Sequence, residues 1–199
     1  EVQFSQKPGP EPSPFRFFSQ KDEVFAMRTL DTAGITEKKG WILVAPGAAS
    51  ERKRWSVQYF KEVIRILHEK TGKKVLLVGT LSERPVADGI LKELPGIVGV
   101  FCGDLVLPET AALIANASLV VANDSAIMHL GFELGTPTVG IFGPTDHEKY
   151  GHEGPRFRIA REEVRLKLIQ GEFANNEQAL EIFLDVFDFE IAPSDGVVH

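Results

Sequence analysis

Cysteine is almost absent: Cys102 is the single one in 199 residues. No disulfide framework and no thiolate metal centre can be built from it, and a reducing compartment is the simpler expectation. Cys102 itself is expected to be a small buried hydrophobe. Long apolar runs are missing as well. None approaches the roughly 20 residues that span a bilayer, and the first twenty residues lack a basic start followed by an apolar segment. A soluble, cytoplasmic protein is the expectation. Basic charge is in deficit, with a formal net charge of −6, which argues against a general nucleic-acid binder because such affinity rests on a basic face. A local basic pocket is still compatible with that balance. The chain has no GxGxxG fingerprint, no Walker loop and no HExxH spacing, and no histidine pairs with a serine or cysteine in an identifiable triad. A nicotinamide enzyme and an NTPase are therefore disfavoured.

What is present is enough apolar material, 43% of the chain, for one domain with a full core plus extensions, and not for two complete domains. The first residue is Glu1 rather than methionine, as expected of a cut from a longer chain or a processed product. Lys7–Pro14, KPGPEPSP, cannot hold a helix or a central strand and reads as a linker. Phe15, Phe17 and Phe18 follow it and need a surface to cover. Val24, Phe25, Met27, Leu30 and Ala33 then fit a short lead-in helix that ends at Gly34. Residues 1–40 are thus expected to be linker and lead-in.

From Trp41 the pattern becomes regular. Apolar, β-branched runs at Trp41–Ala45, Lys74–Gly79, Ile97–Phe101, Ser118–Ala122 and Thr138–Phe142 alternate with helical patterns. These cover Ser56–Gly72, Glu83–Leu94, Pro108–Asn116 and the segment from Asn123 to about Leu134. Such alternation predicts a parallel sheet covered on both faces, the doubly wound α/β class, over residues 41–165. Asp146–Arg156 is expected as a mobile surface loop and Phe157–Ala160 as a last short strand. A helix over Asn175–Phe187 and a disordered tail, Ala192–His199, complete the expectation for residues 166–199.

Ligands of open parallel sheets bind beyond the carboxyl ends of the strands, so the loops there carry the weight. In VVANDSAIMHLGFELGTPTVGIFGPT, residues Val120–Thr145, the strand stops at Asn123-Asp124-Ser125. Asp124 or Ser125 is expected to cap the following helix, whose remaining free N–H groups would face an anion. Asp124, Ser125, His129 and Thr145 then share one rim. His129, one helical turn beyond Ser125, points either to the pocket or into the core. The earlier loop PGAASERKRW sets Arg52, Lys53 and Arg54 ahead of a helix, a placement its dipole opposes unless an anion is also there. The bland alternative is a solvated basic turn. Glu83 either stabilises the first turn of its helix or accepts hydrogen bonds from ribose hydroxyls. Leu105, Val106 and Leu107 are either one wall for a flat base or core.

These motifs together, PGAASERKRW, VGTLSER, NDSAIMH and IFGPT, resemble in order and spacing the C-terminal half of the bacterial heptosyltransferases, glycosyltransferase family 9, from about Asp22 to Arg161. The resemblance implies the Rossmann-like donor-binding domain of a two-domain GT-B enzyme. Such an enzyme uses ADP-heptose, without a metal or other cofactor, to extend the inner core of lipopolysaccharide. Lys53 matches the lysine that meets the diphosphate, beside Ala48, Ala49 and Ser50. Glu83 matches the ribose-binding glutamate, and Val106 falls near the position whose backbone meets adenine. Asp124 matches the aspartate that contacts the sugar; Ser125, Ala126 and Ile127 match the helix start under the phosphates, and His129 the motif histidine. Two departures stand out: Ala126 replaces the usual glycine, and Asp146-His147 replaces Asp-Pro. The implied base aspartate, the lipopolysaccharide-precursor acceptor site and any peripheral membrane contact belong with an N-terminal GT-B domain. Two alternatives stay open, a GT-B transferase or epimerase with another nucleotide sugar and a non-catalytic nucleotide-binding module.

Overall fold

The computed structural model describes residues 17–36, 40–152, 154 and 156–160. The expected linker, the helix at Asn175–Phe187 and the tail at Ala192–His199 lie outside the described residues. Six parallel strands form one sheet: β1 (Ile42–Ala45), β2 (Val75–Leu77), β3 (Val98–Val100), β4 (Leu119–Asn123), β5 (Thr138–Ile141) and β6 (Phe157–Ala160). Their order across the sheet is β3-β2-β1-β4-β5-β6. The helices are α1 (Gln20–Thr32), α2 (Val57–Thr71), α3 (Arg84–Glu93), α4 (Leu107–Ala115), α5 (Ala126–Glu133) and α6 (His147–Tyr150).

Alternation within the strands divides the core. Ile42, Val44, Val75, Leu77, Leu119 and Val121 face one side, where Phe60, Val63, Ile64 and Leu67 of α2 and Ala87 and Ile90 of α3 cover them. Leu43, Ala45, Leu76, Val120 and Ala122 face the other, under Ala26 and Leu30 of α1, Ala112 and Leu113 of α4, and Met128 and Phe132 of α5. A strand turns successive side chains to opposite faces, so apolar residues at every position demand cover on both sides. Helix α2 shows the matching logic from the helical side. Its four buried residues fall at a spacing of three or four, and its backbone leaves the helix through Gly72 at φ 68°. That conformation suits a residue without Cβ, and α5 is likewise followed by Gly135 at φ 68°.

Several local expectations give way to the structure. Ser56, which by residue type suits the N-cap of the helix expected over Ser56–Gly72, precedes α2 but its side chain caps nothing. The segment expected as a mobile loop contains α6, whose first N–H groups are capped by Asp146, and His152 packs edge-on to Phe132 at 4.8 Å. An aromatic partner and an aspartate cap give this stretch the contacts that its glycines hid in the sequence. Cys102 is fully buried, as expected. Burial, reinforced by the negative charge of Glu83, pushes its thiol from 9.0 up to about 12. The unfolded thiol therefore loses its proton before the folded one does, so stability is intact below pH 9 and declines as pH rises toward 12. A disulfide reagent at pH 8 should label Cys102 in denaturant and leave the native chain essentially unlabelled, as followed by absorbance.

Candidate functional site

The strand order reverses between β1 and β4, which pair with each other while their following connections depart to opposite sides. This reversal opens a crevice at the carboxyl ends of both strands, the usual ligand position in such sheets. Two loops meet there, Pro46–Trp55 after β1 and Asp124-Ser125 after β4.

Asn123 joins them. It is completely buried at the end of β4, where its Oδ1 accepts from the Trp55 N–H at 3.0 Å. Its Nδ2 donates to the carbonyls of Pro46 at 2.8 Å and Gly47 at 3.3 Å. A buried amide with donors and acceptor satisfied by one loop fixes that loop rigidly against the strand. Arg54 adds a further tie by donating from Nε to the Ala48 carbonyl at 3.0 Å.

The basic residues fold differently from the expectation of cations set against a helix. Glu51–Lys53 is a separate 3₁₀ turn, and α2 begins only at Val57. Lys53 reaches across the crevice to Asp124, Nζ to Oδ2 at 2.8 Å. Asp124 is only 5% exposed and Lys53 34%, so the cation stands at the mouth of the crevice above its counter-ion. On the other side of the same carboxylate, His129 Nε2 lies 3.7 Å from Oδ1. His129 thus faces the crevice rather than the core.

Helix α5 starts beside this trio with no side-chain cap, contrary to the expected cap from Asp124 or Ser125. For Asp124 the physical reason is competition, since Lys53 holds it; the Ser125 hydroxyl is buried and, among the described residues, without a partner. The first N–H groups of a helix carry partial positive charge, so Lys53, the α5 start and the Ser125 hydroxyl form a donor-rich recess suited to an oxyanion. Ala126 opens the helix with φ below zero, like every non-glycine residue described, so its backbone does not need glycine. Ile127, half-buried, follows it into the helix.

Glu83 lies on the neighbouring loop. Its Oε2 accepts from the Thr80 N–H at 2.7 Å and from the Thr80 hydroxyl at 3.0 Å, so it does stabilise its own turn. The same carboxylate also lies against Gly47, next to Ala48. Ala48 is buried, Ala49 exposed and Ser50 half-buried, and the Ser50 carbonyl accepts from the Lys53 N–H at 3.0 Å. Val106 precedes α4 and is 60% exposed, with Leu107 and Leu81 also exposed, so Val106 and Leu107 are not core residues. The Val106 N–H donates to Glu109 Oε2 at 2.8 Å, and among the described residues no hydrogen bond joins Val106 to Lys53, Glu83 or Asp124. Thr145 is half-buried beyond β5. Among the described residues no group of three or more His, Cys, Asp or Glu side chains is placed to hold a metal ion, and no helix is long and apolar enough to cross a membrane.

The family model described as glycosyltransferase family 9 (heptosyltransferase) matches residues 6–171. The chain belongs to glycosyltransferase family 9. Its family match extends beyond the span over which the motifs alone carry the likeness. Lipooligosaccharide heptosyltransferase 2 of Haemophilus influenzae is 34% identical over 105 residues, covering 50% of this chain and 30% of that protein. Its counterpart in Haemophilus ducreyi is 28% identical over 179 residues, 84% of this chain and 49% of that protein. The family 9 chain therefore spans half or less of these curated relatives. The crystal structure of the glycosyl transferase family 9 from Veillonella parvula superposes with a TM-score of 0.70 at 19% identity, over 85% of this chain and 52% of that one. The structure of Escherichia coli ADP-heptose lps heptosyltransferase II gives 0.61 at 23% identity, over 71% and 43%. At those identities the likeness is one of fold.

In this family 9 chain the anchoring bonds of Asn123, the contact of Gly47 with Glu83 and the bond of Arg54 to the Ala48 carbonyl lie outside what sequence reasoning assigned. Asn123 did carry a signal, an amide closing a wholly apolar strand, since such a residue is stable there only if its bonds are all made. Gly47 carried none, because its partner lies on another loop, and Arg54 stood out only as a cation, its bond being to a backbone carbonyl.

Proposed function

We propose that this chain is the donor-binding domain of a family 9 transferase, holding an ADP-sugar, ADP-heptose, for transfer of heptose to the inner core of lipopolysaccharide. The observation that carries the reading is the Lys53–Asp124 pair, 2.8 Å long, set at the strand-order reversal beside the uncapped α5 and the unpartnered Ser125 hydroxyl. As the glycosidic bond breaks, the leaving ADP gathers negative charge. Lys53 and the α5 N–H groups stabilise that charge without a metal or other cofactor. Asp124 aims the lysine and, with His129, meets the sugar. Ala48, Ala49 and Ser50 form the wall beside Lys53. Ser125, Ala126 and Ile127 supply backbone N–H groups below the phosphates. Glu83 accepts from the ribose and Val106 borders the adenine.

In this reading residues 1–40 lead in from an N-terminal GT-B domain, 41–165 form the donor domain and 166–199 close the chain. The N-terminal domain supplies the base aspartate, the acceptor site for the lipopolysaccharide precursor and any peripheral membrane contact, on the cytoplasmic side. The net charge of −6 favours no nucleic-acid role. Calorimetric titration of the chain with ADP, UDP and GDP tests the donor. ADP is expected to bind about tenfold tighter or more, equivalent to roughly 1.4 kcal/mol, with no change on adding a chelator. Tighter binding of UDP overturns the ADP assignment, and loss of binding with chelator overturns metal independence.

A further inference from the structure

Gly47 follows β1 and Gly79 follows β2, and the backbone of neither requires glycine, since both lie outside the positive-φ set among the described residues. What they share is Glu83. A Cβ added to Gly47 would overlap Oε1 and Cδ of that glutamate and come within 2.8 Å of its Cγ. One added to Gly79 would lie 2.6 Å from Oε2. The carboxylate thus lies in a slot that exists because the residues after two strand ends have no side chains. Within the slot its two oxygens differ. Oε2 is taken by the N–H and hydroxyl of Thr80, whereas Oε1 has no hydrogen-bond partner among the described residues and lies against Gly47 in the loop that leads to Lys53.

We propose that Gly47 is a positioning residue: it seats Glu83 so that Oε1 is presented to the hydroxyls of a nucleotide's ribose, and through that contact it sets the preference for ribose over a sugar lacking those hydroxyls. This rests on the donor-site reading above. The chemistry is that of a carboxylate locked at one oxygen. A free oxygen on a carboxylate accepts strongly from hydroxyl donors, and prior fixation of the group removes the ordering cost of making that bond. A methyl at position 47 ejects the carboxylate while leaving the backbone of the loop able to keep its conformation.

The test compares ADP with 2′,3′-dideoxy-ADP by calorimetry. The wild-type chain is expected to prefer ADP by about tenfold or more, the effect of losing hydrogen bonds to a charged acceptor. In Gly47→Ala the preference should fall close to one, with affinity for the dideoxy nucleotide unchanged and thermal unfolding still cooperative. Glu83→Ala should lose the preference equally, and the double variant should lose nothing more, because both changes remove one contact. Gly79→Ala enters the slot from its other side and should act in the same direction. A nucleotide-independent readout accompanies these: the Thr80 amide proton resonance should move upfield in Gly47→Ala as its carboxylate acceptor leaves. A Gly47→Ala chain that keeps the preference, or keeps the Thr80 resonance in place, overturns the inference. A wild-type chain that binds both nucleotides equally overturns it while the donor site stands, and one that binds neither overturns both.

Discussion

Replacing Lys53 by alanine is expected to weaken ADP binding by about 10- to 150-fold, the equivalent of roughly 1.5–3 kcal/mol for a charge-assisted hydrogen bond to phosphate. The argument starts from what the lysine touches. Its Nζ is 2.8 Å from the Asp124 carboxylate, an ion pair that joins the loop after β1 to the loop after β4 at the crevice. Removal leaves Asp124 nearly buried, with His129 at 3.7 Å as its remaining side-chain partner among the described residues, so an anionic ligand would then approach a poorly compensated negative charge. The same substitution should lower stability by about 1–2 kcal/mol. That is less than a fully buried pair would lose, because Lys53 is one-third exposed and partly screened by solvent. Calorimetry with ADP and urea denaturation separate the two effects. Lys53→Met, which keeps the length of the side chain, should match the loss of affinity; ADP binding that survives either change would remove Lys53 from the phosphate site. Raising ionic strength should weaken ADP binding to the wild type more than to either variant, since only the former draws on the lysine charge.

The second large effect concerns folding more than binding. Asn123→Ala is expected to destabilise the chain by about 3–4 kcal/mol, measured as a fall in the urea midpoint at unchanged slope. Three bonds vanish together: the one accepted from the Trp55 N–H and those donated to the carbonyls of Pro46 and Gly47. Each leaves a polar backbone group in a site where Asn123 has no solvent exposure. Asn123→Asp should be no milder. It keeps an acceptor for Trp55 but sets a second oxygen, with a charge, against two carbonyls. Both variants should also bind ADP more weakly at temperatures where they are folded, because the loop that carries Lys53 loses its anchor to β4. An Asn123→Ala chain as stable as the wild type would mean that the loop holds its place without the amide.

The two residues show how unevenly the molecule was written into its sequence. Apolar runs of β-branched residues broken by glycine and proline are local signals, and they place each strand and helix within a few residues. Gly72 and Gly135 mark the ends of α2 and α5 for a local reason too, the positive φ that a helix exit requires. The caps were misjudged because a cap depends on what else claims the side chain. Asp124 suited the role chemically, and a lysine 71 positions earlier in the chain took it instead.

By itself the sequence determined a doubly wound α/β domain, the strands that build it, the loops at their carboxyl ends and, through four motifs in register, its family. Periodicity suffices for this because burial on two faces of a sheet imposes its pattern on every strand separately. The tertiary structure alone decided that β1 lies beside β4, and everything specific to the crevice follows from that adjacency. It joined Lys53 to Asp124, tied Asn123 to Pro46, Gly47 and Trp55, and laid Glu83 into a slot between two glycines. Such contacts join residues far apart in the chain, and no repeating pattern records them, because which loop ends meet depends on strand order and crossover path rather than on any residue's own preference.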